Sequence, residues 1–579
     1  MKSKTTHGEH GEDAASGDEP LTGRDDDQES TTALERRDYL RGIGFAGLVS
    51  GLGGLGVGAG ATGSALAQES WEAAADERIE HHRMGDLEVS VETEDGSPVA
   101  DATVEIEQQE HEFGFGTAVH AEFLLEGSEW GDDIYSETDR QNYEAAIEGH
   151  FNMIVLENVH KWHLWEENTE IADGAVEWAR ERDMDVRGHV ALWGNVDAWA
   201  IPPRVVEAMG DPWASEWEEA GEPDYDPDYV VAEAMNHIEA VIGHYGDDIQ
   251  EWEIKNEVIH ETAMIEAVEG QGVDPVTAEV LGDWYEHAED VANQHGVDIA
   301  VNDYNTLVGP YEETRDDYER QIDYLVNDRG IDLDGIGFQS HFGYDERLEA
   351  GEIMDSLDRF ADYGAGLRST EFDMFQGNWS ESEQAEFMHL FLKQFFSHPD
   401  AEDFLMWGIW DPIHWGDELE EDQDAPLYDE NWNEKPAYQE YVDLVFDEWW
   451  TDESGLTDAS GEFETAVFHG DQEVTVTVNG ESTTQQVSVT DADAPVQLEI
   501  TVDENGDGDP VVGDYTPEDT TGDGLRNDFT GDGQTTHDDV TAFFENLEDD
   551  GIQQNPHDFD FTANGEVGFA DVVELLRAV

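Results

Sequence analysis

Cysteine is absent from the 579 residues. That excludes disulfides, thiolate nucleophiles and cysteine metal sites, whatever the redox compartment. Cationic side chains are scarce: 25 Lys and Arg stand against 142 Asp and Glu, a formal net charge of −117. Such a surface repels phosphate backbones and anionic lipid, which argues against nucleic-acid and peripheral membrane partners. Long acidic disordered tracts are poor in aromatics, whereas this chain is 10% aromatic, with 18 tryptophans. The composition is that of a folded protein crowded with carboxylates and suited to molar salt, where their repulsion is screened.

Residues 1–67 read as a disordered leader and an export signal. Arg36-Arg37 precede a small-residue apolar stretch from Gly42 to about Gly63, and Ala65-Leu66-Ala67 resembles a cleavage site. The pair resembles a twin-arginine signal and implies a secreted, extracellular product without stable membrane insertion after cleavage. The alternative is one membrane anchor, since 22 residues can cross a bilayer.

Residues 85–112 alternate as a short β element. Across 113–455, eight short apolar runs recur: Gly114–Val119, Asn152–Asn158, Asp185–Trp193, Ile249–Glu257, Asp298–Tyr304, Gly335–His341, Leu367–Asp373 and Phe404–Asp411. Helical stretches such as Asp173–Arg182, Tyr229–Ile242 and Pro275–Gln294 separate them. The α/β order predicts a (β/α)8 TIM barrel. An open doubly wound sheet is the competitor, but no glycine-rich phosphate loop follows the first strand. Residues 460–502 read as a small β-sandwich-like domain, and 503–579 as a calcium-loop helical module.

In a barrel, polar residues at the C-terminal ends of strands converge on the mouth. Here those ends carry Glu157-Asn158 with Lys161, Arg187-Gly188-His189 with Trp193, Asn256-Glu257, Asn302-Asp303-Tyr304-Asn305, Gln339-Ser340-His341, Glu371 with Asp373, and Trp407 with Trp415. Glycosidic cleavage requires two opposed carboxyls, and Glu257 and Glu371 end strands four and seven. Burial near Trp252 would raise the pKa of Glu257, as a proton donor needs. Lys161 is one of six lysines and reads as a cation retained to bind hydroxyls, with a loop salt bridge as the alternative. Lys255 reads as structural. Trp162, Trp193, Trp407 and Trp415 offer flat apolar faces suited to pyranose rings. No histidine cluster has metal-ligand spacing.

These motifs resemble glycoside hydrolase family 10, the retaining endo-β-1,4-xylanases, over residues 85–450. The resemblance rests on Phe115-Gly116-Thr117-Ala118-Val119, Glu157-Asn158 with Lys161-Trp162, Arg187-Gly188-His189, Trp252 with Asn256-Glu257, Asn302-Asp303-Tyr304-Asn305, Gln339-Ser340-His341, Thr370-Glu371 with Asp373, Trp407-Gly408 and Lys435-Pro436-Ala437-Tyr438. It implies that Glu257 is the general acid/base and Glu371 the nucleophile of a double displacement. By the same resemblance Asn256 binds the 2-hydroxyl of the sugar beside the cut, and Lys161 and His189 grip its 3-hydroxyl region. Asp373 holds His341, which orients Glu371, while Gln339 assists the acid/base. Glu157 and Asn158 reach the next sugar outward, and Trp407 and Trp415 form platform and roof. The substrate implied is xylan or a xylo-oligosaccharide, with no cofactor for catalysis. The chain departs from the family where Gly194 follows Trp193, and in the loop of residues 197–203. β-Glucan or short β-glycosides are the alternative substrates, and a non-catalytic carbohydrate-binding protein the alternative class.

At the C-terminus, Asp528, Thr530, Asp532 and Asp539 occupy positions 1, 3, 5 and 12 of a loop with Gly533 at position 6. Asp560, Thr562, Asn564 and Asp571 repeat the spacing with Gly565. Both are calcium-loop patterns followed by a short apolar helix. They resemble dockerin-type repeats, which implies bound Ca2+ and leaves docking to a receptor open.

Overall fold

The computed structural model describes residues 64–579 except 94–95, 126–135, 197, 218–219, 308, 376–378, 416–424, 491–494, 503–515, 522–524, 532, 548–549, 554–555 and 563–566. The arginine pair and the apolar stretch after it therefore lie outside the described residues, as do Asp532 and Asn564. Among the described residues no helix is long and apolar enough to cross a membrane.

Strands are numbered in chain order. The barrel consists of β3 (Gly114–Val119), β4 (Met153–Leu156), β5 (Asp185–Gly188), β6 (Leu192–Trp193), β7 (Glu251–Asn256), β8 (Asp298–Asp303), β9 (Gly335–Phe338), β10 (Gly366–Phe372) and β11 (Ala401–Met406). Each pairs in parallel with its neighbours, and β5 and β6 both pair with β7, which closes the ring. β5 and β6 are two halves of one barrel strand, interrupted at His189–Val190, so the count is the predicted eight. Met153–Leu156 is buried throughout, because a parallel strand has the barrel interior on one side and helices on the other.

The helices have local causes. Ser136 and Asp139 form a capping box on Glu137–His150, Asp226 caps Pro227–Tyr245, and Ser380 with Glu383 caps Glu381–Ser397. Two expected helices differ in extent. Pro275 starts a short 3-10 turn, and the helix proper is Glu279–His295. The helix expected at Asp173 starts at Trp162, with a kink at Asn168. Trp162 is therefore a buried first-turn residue stacked on His237, not part of the cleft.

β1 (Met84–Thr93) and β2 (Thr103–His111) alternate buried and exposed residues. Their partners lie beyond the barrel in sequence. β1 sits between β13 (Glu462–Phe468) and β16 (Val496–Val502). β2 sits between β12 (Asp452–Leu456) and β14 (Gly470–Val478), and β14 pairs with β15 (Glu481–Val489). The stretches 85–112 and 460–502, read apart in the sequence, thus share two sheets around one core. That core includes Leu87, Val89, Val91, Val104, Ile106, Val467, Val474 and Ile500.

A helix over Ser64–His82, which sequence patterning did not pick out, clamps to the barrel. Its Arg78 donates to Gln394 at 2.9 Å and to Ser397 at 2.8 Å. Arg83, just past its end, donates to the carbonyls of Phe396, His398 and Ala401.

The C-terminal module has its own core of Phe529, Val540, Phe543, Phe559, Val572 and Leu575. Its helices His537–Glu545 and Phe569–Ala578 follow the two acidic loops. Asp528, Asp539 and Asp571 are fully buried. The backbone N–H of Thr530 donates to both Asp528 and Asp539, drawing positions 1 and 12 of the first loop together. In the second loop the Thr562 hydroxyl donates to Asp560 at 3.2 Å and Asp571 at 2.8 Å. Converging, buried acidic oxygens on repeated loops fit a hard divalent cation. The position-5 residues, Asp532 and Asn564, are the ones lying outside the description.

Candidate active site

A cleft of about 1060 Å³ opens at the C-terminal ends of the barrel strands. Glu157, Asn158, Lys161, His189, Asn256, Glu257, Gln339, His341, Glu371, Trp407 and Trp415 all line it. Asp373 is fully buried behind His341. Both predicted catalytic glutamates and every predicted sugar-binding residue except the buried Trp162 are therefore in or directly behind one cleft.

Glu257 follows the end of β7 at φ +55°, a left-handed conformation uncommon for a residue with a Cβ. In a regular strand Asn256 and Glu257 would face opposite sides. Here both side chains meet the Gln339 amide, which donates to Glu257 Oε1 at 2.8 Å and to Asn256 Oδ1 at 3.4 Å. The turn, anchored by the Glu257 N–H on the Asn302 carbonyl, delivers two consecutive polar side chains to the mouth. The indole that touches Glu257 belongs to Trp193, which donates to Oε2 at 2.7 Å. Trp252 instead packs beneath Gly188, where a Cβ would collide with its ring, and against His160 and Tyr245. Burial pushes the Glu257 carboxyl up to about 7, and the negative charges of Asp303 and Glu371 add to the shift.

Glu371, in β10, is surrounded by donors. Asn302 Nδ2 donates to its Oε1 at 2.7 Å, while Asn302 Oδ1 accepts from the Thr370 hydroxyl at 2.8 Å, so the amide cannot rotate freely. His341 Nε2 lies 3.2 Å from its Oε2. The other ring nitrogen of His341 lies 2.9 Å from Asp373, which also accepts from Trp415 Nε1 at 2.8 Å. Burial opposes charge on His341, but Asp373 and Glu371 outweigh it and lift the imidazole to about 10. At neutral pH a cationic imidazole thus donates to Glu371.

On the other side of the mouth, Lys161 donates to Asn158 at 2.8 Å and sits over the Trp193 ring. His189 is held by Glu253 at 2.9 Å and meets Trp407 edge-on. Burial would raise the Glu253 pKa, but Arg187 and His189 outweigh it and keep that carboxylate below its ordinary range. His189, Glu253 and Glu371 bring ligand atoms within 4.8 Å of one another. With Arg187 already balancing Glu253, that proximity leaves room for a hydroxyl held between His189 and Glu371. Lys255 is wholly buried, donates to the carbonyls of Asn256 and Glu261, and is lowered to about 8 by burial; it is structural, as its position predicted.

Two participants went unassigned in the sequence. Asn302 stands in a quoted motif, yet its bond to Glu371 depends on a strand two places further in the chain order. His120 follows the end of β3 and lies 2.8 Å from Glu157. Burial would raise the Glu157 pKa, but His120 and then Lys161 hold it down to about 2. Applying the strand-end rule to the first barrel strand, as to the others, finds His120. The departure at Gly194 also has a cause: any Cβ there would collide with the Glu261 carbonyl oxygen, so no larger residue fits this loop.

Comparison with known proteins places this geometry. The chain is 27% identical over 415 residues to the anti-sigma-I factor RsgI6 of Acetivibrio thermocellus, matching 71% of this chain and 47% of that protein, so it spans about half of that relative's length. It is 27% identical over 373 residues to endo-1,4-beta-xylanase A of Halalkalibacterium halodurans, covering 58% of this chain and 85% of that enzyme. Among solved structures, xylanase 10B from Thermotoga maritima aligns at 22% identity with a TM-score of 0.47, over 58% of this chain and 96% of the other. The family model "Glycosyl hydrolase family 10" matches residues 111–444. Those residues form the closed barrel with its two differently housed glutamates, and the chain belongs to glycosyl hydrolase family 10.

Proposed function

We propose that the protein is a retaining endo-1,4-β-xylanase acting on xylan or xylo-oligosaccharides. The observation that carries this is the contrast between the two carboxyls of one cleft. Glu257 is desolvated and protonated near neutrality, while Glu371 is fixed by the donors Asn302 and His341. In the first step Glu371 attacks the anomeric carbon as Glu257 gives its proton to the departing glycosidic oxygen, leaving a covalent glycosyl-enzyme. Glu257, now a carboxylate, takes a proton from water, which displaces Glu371 and restores both groups with net retention. Lys161, His189 and Asn256 hold the reacting sugar, and Glu157 and Asn158 the next one outward. Incubation with xylan and with β-glucan in molar salt, followed by product sizing, tests the assignment. Short xylo-oligosaccharides support it. Reducing ends from β-glucan alone move the substrate to β-glucan, and retention of both polymers without cleavage makes the protein a binder.

The remaining proposals concern setting. The charge of −117 supports function in high salt, and the arginine pair before an apolar stretch supports twin-arginine export to the extracellular space. For the C-terminal module we propose bound Ca2+, held in the first loop by Asp528, Thr530, Asp532 and Asp539 and in the second by Asp560, Thr562, Asn564 and Asp571. The ion would neutralise carboxylates that the fold buries side by side. A docking receptor is the further role proposed from the dockerin-like spacing.

A further inference from the structure

The loop after β6 departs from the family pattern, and it carries an indole with no assigned task. Trp199 lines the same cleft as the two glutamates, together with Leu164 and Ala198. It is 44% exposed, where the cleft's Trp407 is buried. Its backbone is left-handed, φ +56°, a conformation that a bulky residue adopts only when its surroundings impose it. Those surroundings are visible. The His163 ring stacks against Trp199 with centroids 6.2 Å apart, and Trp217 meets it edge-on at 6.4 Å. The loop is tied to the neighbouring helix by the His163 N–H on the Ala200 carbonyl. An indole braced from behind by two rings, yet bare toward a cleft, is a preorganised flat apolar surface.

The position within the cleft says what the surface meets. Lys161 bonds Asn158 and lies over Trp193, and two and three residues further along the chain His163 stacks on Trp199 and Leu164 lines the cleft beside it. We infer that Trp199 is a stacking platform for one further pyranose ring, beyond the sugar reached by Glu157 and Asn158. It is a specificity-determining residue for chain length. The platform binds through the C–H face of the ring and so favours polymers and long oligosaccharides over short ones. This rests on the proposed β-glycanase activity of the cleft.

The test compares kcat/KM on xylohexaose with kcat/KM on p-nitrophenyl β-xylobioside, which lacks the further sugar assigned to Trp199. In Trp199→Ala the ratio of the two should fall about tenfold, equivalent to ~1.4 kcal/mol of lost binding, and Trp199→Phe should restore most of it. An unchanged ratio overturns the inference, whether both substrates suffer equally or neither does. If the wild-type protein cleaves cellohexaose and not xylohexaose, the xylan assignment fails. The same ratio measured with cellohexaose and p-nitrophenyl β-cellobioside then decides on Trp199 independently.

Discussion

Glu257 ionises against its surroundings, and this has consequences for both rate and stability. Its carboxyl sits at about 7 because burial, Asp303 and Glu371 all disfavour the anion. In its proposed role as general acid Glu257 must be protonated to serve, so kcat/KM should fall with a midpoint near pH 7 on the alkaline side; a pH–rate profile flat to pH 9 contradicts this. Between about 4.5 and 7 the native carboxyl keeps a proton that the unfolded chain has lost. The unfolded state then binds fewer protons, and stability falls as pH rises through this window. Glu257→Gln removes the buried anion, so its Tm should exceed wild type at pH 8, with a gain on the order of 3 kcal/mol, and match it more nearly at pH 5. Thermal unfolding at the two pH values measures the difference. Glu257 and Glu371 were legible because their neighbours stand at strand ends. The conformation that turns Glu257 into the mouth was not, since a left-handed glutamate has no sequence signature, and parity counting alone puts it on the same side as Lys255.

At the scale of elements, the eight barrel strands could be read because each is a short apolar run bounded by helical sequence. The division of the third into β5 and β6 could not. The sandwich was half legible: β1, β2 and β13–β16 each alternate, but Met84 pairs with Phe468, and no local pattern announces a partner so far along the chain. The pairing predicts how truncations behave. A chain ending after Leu456 keeps the whole barrel but removes both partners of β1 and one of β2's, exposing Leu87, Val89 and Val91 at ~1.5–3 kcal/mol each. It should be aggregated or strongly destabilised. A chain ending after Val502 retains every sandwich strand and should keep the proposed xylanase activity and the Tm of the full protein. Size-exclusion chromatography and thermal unfolding distinguish the two; equal behaviour would show that the sandwich contributes nothing to the barrel.

The molecule as a whole carries a field that its contacts do not offset. Where cations occur in the barrel they are committed: Arg187 to Glu251 and Glu253, Arg368 to Glu251 and Asp403, Lys435 to Asp411. Surface arginines such as Arg204 and Arg329 pair with Glu166 and Asp283, but 25 cations cannot match 142 carboxylates. The excess is left to the solvent, with a screening length of ~8 Å in physiological salt and ~3 Å at 1 M. Tm should therefore rise from 0.1 M to molar NaCl; a constant Tm contradicts the salt-adapted account. The C-terminal module is a separate core, so EDTA should lower its helical signal while barrel activity at fixed salt is unchanged. Helical signal insensitive to chelation argues against calcium in its loops. The proposed double displacement requires that Glu371 form the covalent intermediate. The most direct measurement is mass spectrometry of peptides from enzyme inactivated with a 2-deoxy-2-fluoro-β-xylobioside: the account predicts one equivalent of sugar on the peptide containing Glu371, and a label on any other residue, or inactivation without a covalent adduct, contradicts it.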